Sequence, residues 1–324
     1  MSDYTYQVAR IRALETGLLG KGDIERLIAC PDAGSCVRFL EEKGWGTSET
    51  AGDPDRILAY EEEQIWNVIG DLHIDVSMFD VLEYPKVFHD VKAAVKAVAT
   101  GQEDAARFYG GVGASGEELM DAVREKDFDR LPCGAGKAAE EAYEELLHTG
   151  DGQLCDVTID RACLDAIMRA GEDAAKKGEP VIKDYAISYV SICDVKTAAR
   201  SAATGKSAEF MEKAIAETPL FSKDELIKAA LSGKKQVIDY LETTDLRDGA
   251  AALAEGASAF ERWCDDRMTD SLQSEKYETF TIGPVLAYVI ARQNEIKTAR
   301  IIITGKANGL SDDEIRARAR KMYV

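Results

Sequence analysis

One helical pattern occurs three times in this chain, and that repetition limits the available folds more than any other feature. Asp90-Val91-Lys92 leads to Thr100-Gly101, and Asp194-Val195-Lys196 leads to Thr204-Gly205-Lys206. Glu295-Ile296-Lys297 leads to Thr304-Gly305-Lys306, so the copies stand about a hundred residues apart. A fainter copy, Ala9 to Gly17, resembles Ala299 to Gly305. Val91, Ala94, Val95 and Val98 fall at i, i+3, i+4 and i+7, which puts them on one face of a helix. The acid in the first turn suits the helix dipole, and the Gly predicts a left-handed stop. Ile301, Ile302 and Ile303 point about 100° apart, so the last copy is apolar on several sides and expects to be surrounded.

A capping box follows each copy: Ser115 with Glu118, Ser222 with Glu225, and Ser311 with Glu314. Leu119, Leu226 and Ile315 come directly after and begin a buried face. The chain therefore reads as all-α, in three similar helical modules over 1–107, 108–208 and 209–324. Only 7 prolines occur in 324 residues, alternating strand patterns are scarce, and no Ser/Gly linker separates the modules. Pro85 marks the start of the first signature helix, Thr158 to Lys177 forms a helix, and Pro284 leads the last signature helix.

Composition narrows the function classes. A formal charge of −19 argues against a nucleic-acid binder and against direct adhesion to anionic lipid. No apolar run is long enough to span a bilayer, and the amino end lacks a secretory pattern. Seven cysteines without a C-x-x-C pair read as reduced thiols of a cytoplasmic protein. Beyond Tyr288 the balance reverses, with eight Lys or Arg against four Asp or Glu. Arg316, Arg318 and Arg320 in that stretch complement the end of a terminal helix and are also candidates for contact with an acidic partner.

Catalytic patterns are weak. Gly111 to Gly116 satisfies G-x-G-x-x-G, but a dinucleotide fingerprint follows a buried strand, whereas Gln102 to Tyr109 is polar and helix-like. Gly205-Lys206-Ser207 lacks the first glycine of a phosphate loop, because Arg200 stands there. His73, His89 and His148 have no metal-ligand spacing. Glu61-Glu62-Glu63 reads as a solvated face, and Trp45, Trp66 and Trp263 read as packing residues. No catalytic, cofactor or metal residue is assigned.

The carboxy-terminal third carries a resemblance. Pro284, Tyr288, Arg292, Glu295-Ile296-Lys297, Arg300-Ile301-Ile302, Gly305-Lys306, Gly309-Leu310-Ser311, Ile315-Arg316 and Arg318 resemble the C subunit of the archaeal and bacterial A/V-type ATP synthases, whose eukaryotic counterpart is the d subunit. Tyr6 to Glu15 is similar to that family's opening helix. The resemblance implies a funnel of three helical modules around a pseudo-threefold axis, with the terminal helices of the first and last adjacent. It implies a non-catalytic central-stalk component, peripheral on the cytoplasmic face, without cofactor, lipid insertion or nucleic acid. Its partners would be the proteolipid rotor ring and the D and F subunits of the shaft. The rival readings are a free-standing helical repeat scaffold and a nucleotide-binding enzyme using the Gly111–Gly116 loop.

Overall fold

A computed structural model describes residues 4–110 and 113–324; 74% of the chain is helical, and no strand occurs among the described residues. The helices are α1 (Thr5–Glu15), α2 (Lys21–Ile28), α3 (Ala33–Glu42), α4 (Pro54–Gly70), α5 (Asp80–Thr100), α6 (Gly116–Arg124), α7 (Gly136–Thr149) and α8 (Gly152–Lys176). They continue with α9 (Pro180–Thr204), α10 (Ala208–Ala214), α11 (Lys223–Ser232), α12 (Lys234–Leu241), α13 (Ala250–Glu255), α14 (Ala257–Ser271), α15 (Gly283–Ala307) and α16 (Asp312–Arg316). Two compact units result, one of Met1–Val76 with Ala251–Val324 and one of Ser77–Ala250.

In the discontinuous unit α15 is the core. It packs against α1, α2, α3, α4, α14 and α16, and its residues are buried on nearly every side, as the isoleucine run predicts. Val285, Val289 and Ile302 are fully enclosed, each contributing roughly 1.5–3 kcal/mol by leaving water. In the other unit α8 and α9 form the longest pair, with α5 and α7 also on α8. A β-carbon on Gly171 would lie 2.7 Å from Ala186 Cβ, so the glycine permits that close crossing.

Several helix ends differ from expectation for local reasons. α5 begins at Asp80 and carries Pro85 inside it. Pro85 has no N–H for the carbonyl four residues back, but burial of Phe79, Val81 and Leu82 carries the extra turn. α8 starts at Gly152, ahead of Thr158, because Asp151 accepts the N–H groups of Gln153 at 2.8 Å and Leu154 at 3.3 Å. Ser115 and Ser311 form reciprocal boxes with Glu118 and Glu314. Ser222 caps only one way, since its own N–H goes to the Tyr240 hydroxyl at 3.0 Å.

The glycines of the three copies do two jobs. Gly101 (φ 68) and Gly205 (φ 65) end α5 and α9 in the left-handed conformation. α15 instead runs through Gly305 to Ala307, and Gly309 (φ 70) makes the turn. A β-carbon at Gly305 would stand 2.7 Å from Cγ1 of the buried Ile315. Gly305→Ala is therefore expected to cost about 1–3 kcal/mol despite alanine's better helix propensity, read as an earlier denaturant midpoint. An unchanged midpoint would show that α16 yields freely.

Candidate functional site in the signature helices

The acid of each copy stands in the middle of its helix rather than in a first turn, because α5, α9 and α15 begin about a dozen residues earlier. It plays the same part each time, accepting backbone N–H groups from a non-helical segment. Asp90 takes those of Tyr109 at 2.8 Å and Gly110 at 2.9 Å. Asp194 takes that of Ala216 at 2.9 Å, and its second oxygen is buried without a partner among the described residues. Burial pushes the Asp194 carboxyl up to about 7, against the pull of the Ala216 amide and Arg161. Glu295 takes the N–H of Leu19, near the amino end of the chain. A short helix opens after each pinned segment, at Gly116, Lys223 and Lys21 respectively. The third copy is thus completed by residues that precede it by most of the chain.

The signature lysines differ more. Lys92 pairs with Asp160 of α8 at 2.6 Å and Lys297 with Asp265 of α14 at 2.5 Å. Lys196 faces a cavity instead.

Around Glu295 lies a buried charge cluster. Arg292 reaches Glu295 at 2.5 Å with one nitrogen and Glu61 at 2.5 Å with the other, and lies over the Trp45 ring 5.0 Å from its centre. Glu61 also accepts the Gly46 N–H at 2.7 Å. Burial pushes Glu295 up to about 7, although Arg292 and the Leu19 amide favour its charged form. The sequence reading of Glu61 as part of a solvated face is corrected here, since Glu61 is 7% exposed. It sits four residues from both Ile57 and Ile65 on the apolar side of α4, a signal present in the sequence. Glu62 on the flank pairs with Arg300 at 3.2 Å.

The basic end of the chain is largely matched internally. Arg320 is buried and pairs with Asp265 at 2.6 Å. Lys321 donates its backbone N–H to Asp266 at 2.7 Å and its ammonium to Asp270 at 2.6 Å. Arg316 pairs with Glu25 of α2 at 3.1 Å and with Asp313 at 2.7 Å, and remains exposed, as does Arg318. The acidic side of α14, rather than a helix terminus, receives most of this charge.

The remaining sequence candidates gain no chemistry. Gly111 and Val112 lie outside the described residues; the segment ahead of them is a 3₁₀ turn, Glu103–Ala105, followed by irregular chain, and no strand feeds the loop. Gly116 sits where a β-carbon would strike the Phe108 ring. Among the described residues no three His, Cys, Asp or Glu gather as metal ligands. Among them, too, no helix is long and apolar enough to cross a membrane.

Known proteins share this chain over nearly its whole length. The family described as ATP synthase (C/AC39) subunit matches residues 7–318. The C subunit of the V-type sodium ATPase of Enterococcus hirae is 25% identical over 321 residues, covering 97% of both chains. The C subunit of the A-type ATP synthase of Halorubrum lacusprofundi is 24% identical, covering 98% of this chain and 97% of its own. That of Methanocaldococcus jannaschii is 21% identical, covering 98% of this chain and 86% of its own. This chain belongs to the ATP synthase (C/AC39) subunit family, the accessory and non-catalytic C subunits of the V/A-type ATPases.

Proposed function

We propose that the chain couples the membrane rotor ring of an A/V-type ATPase to its central shaft, transmitting torque while catalysis proceeds elsewhere in the complex. The partners are the proteolipid ring on one side and the D and F subunits of the shaft on the other, with the chain peripheral at the cytoplasmic face. The observation that carries this reading is the bond from the Leu19 N–H to Glu295. A third copy completed by the amino end supports three modules, 1–107, 108–208 and 209–324, closing around a pseudo-threefold axis into a funnel. Packed helical interiors resist compression, which suits a torque-bearing part.

Charge suits the same seat. A chain of −19 complements the Lys/Arg-rich cytoplasmic loops typical of membrane proteins better than anionic lipid. Of the basic contact candidates, Arg316 and Arg318 offer exposed guanidinium groups to an acidic partner, with Arg320 anchoring the segment beneath them.

The test is reconstitution. The purified chain is expected to co-sediment with the detergent-solubilised ring and to elute as one species with the D and F subunits. Failure to bind either would sink the proposal. The chain alone is expected to release no phosphate from ATP above the blank; turnover in a preparation free of the catalytic polypeptides would contradict a purely mechanical role.

A further inference from the structure

Within residues 77–250, a cavity of about 530 Å³ opens between α5, α8, α9 and α10. That volume lies in the range of small-molecule sites, roughly 300–1,000 Å³. Its α9 wall is a single stripe, with Cys193, Lys196, Thr197, Arg200 and Ser201 recurring at helical spacing. Lys196 and Arg200 stand one turn apart, a separation of about 5–6 Å between β-carbons.

The charges around the cavity are unevenly satisfied. Asp160 is taken by Lys92 at 2.6 Å and Asp156 by Lys96 at 2.9 Å. Among the described residues no carboxylate lies within ion-pair distance of Lys196 or Arg200. The lysines at the same place in the other two copies are both paired with an aspartate, so Lys196 departs from its own repeat. A further cation, Lys206, sits 4.9 Å from the centre of the Phe210 ring and donates to Gln153. The cavity therefore presents a cationic wall with hydroxyls beside it, facing the apolar side chains of Phe88, Leu164 and Phe210, in a chain whose overall charge is −19.

We infer that this cavity binds a small phosphorylated molecule, its adjacent phosphates held between Lys196 and Arg200 and its body against Phe88 and Phe210. Arg offers a planar fork to two phosphate oxygens and Lys a mobile point charge, a combination suited to a diphosphate. Thr197 and Ser201 can donate to the oxygens that remain. Binding here involves no chemistry on the ligand and does not depend on the ring or the shaft.

The test uses the full chain alone. Calorimetric titration with sodium pyrophosphate, and separately with ATP, in low-salt buffer without magnesium is expected to show one site for at least one probe. The double variant Lys196→Ala/Arg200→Ala is expected to weaken that site at least tenfold. Lys234→Ala at the start of α12 is expected to leave it unchanged. Arg200 is exposed and Lys196 half-exposed, so the double variant should keep its circular dichroism and melting curve. No heat from either probe at millimolar concentration, or equal binding by the folded double variant, overturns the assignment.

Discussion

Replacing Arg292 by methionine is expected to lower the midpoint of thermal unfolding at pH 8, where Glu295 is charged, by roughly 10 °C. Methionine keeps the length and apolar body of the side chain but removes the guanidinium that bridges Glu61 and Glu295, both almost fully enclosed. Breaking one partner out of a buried ion pair costs about 3–5 kcal/mol, because the charge left behind keeps its desolvation penalty. For a unit the size of Met1–Val76 with Ala251–Val324, which holds the cluster, each kcal/mol moves the midpoint by roughly 2–4 °C. Arg292→Lys should recover less than half of the loss, since a compact ammonium cannot engage both carboxylates with separate nitrogens and still lie over the Trp45 ring as the guanidinium does. Adding Glu61→Gln and Glu295→Gln to the methionine variant should restore much of it by removing the two orphaned charges. A methionine variant that melts within about 2 °C of the parent would mean that the cluster contributes nothing to holding α4 on α15.

The second large effect is in pH. Asp194 and Glu295 are both pushed up to about 7 by burial, from ordinary values of 3.8 and 4.5. The folded state therefore holds these protons more tightly than the unfolded chain does. Each group's stabilising contribution is fully present below its unfolded value and is lost as pH rises through about 7. Moving from pH 8 to pH 5.5 should add on the order of 2 kcal/mol per group, so the protein should melt higher at pH 5.5. The groups acting on Asp194 are Arg161 and Lys223, which oppose the shift, and Asp165, which adds to it. For Glu295 they are Arg292, which opposes the shift, and Glu61, which adds to it. Asp194→Asn separates this from the general relief of negative charge on acidification. Asparagine keeps an oxygen for the Ala216 N–H and carries no buried charge, so the variant should be more stable than the parent at pH 8 and gain less on acidification. Parallel curves for the two proteins would show that Asp194 does not carry the dependence.

These groups also show which features are legible in the sequence. Local rules located the helices: Pro284 near the start of α15, Gly101 and Gly205 at the ends of α5 and α9, Ser caps after each repeat. The rules fell short wherever a distant residue decided the outcome. Gly305 matches its two counterparts in sequence, yet Ile315 packs over it and the helix continues. Glu61 lay inside an acidic run that hid its place on the apolar side of α4; the periodicity was there, but its partner Arg292 is more than two hundred residues away. Asp90, Asp194 and Glu295 align as equivalents, but the amides they hold belong to loops without a motif. Function is legible through family resemblance rather than pattern, because a non-catalytic subunit needs no constellation of reactive side chains.

The bond between Glu295 and Leu19 also fixes an order of events during synthesis. The ribosome makes Leu19 early and Glu295 late, and at about 5–20 residues per second the first waits tens of seconds for the second. Until then α2, α3 and α4 lack α15, the helix they all pack against, while the intervening stretch from Ser77 to Ala250 already forms a compact unit of its own. α2, α3 and α4 are thus sealed only once α15 has been made. In the cell this polypeptide should lean on chaperones that shelter its nascent amino-terminal segment, and ribosome stalling before α15 should leave a middle resistant to protease behind a front that is readily digested.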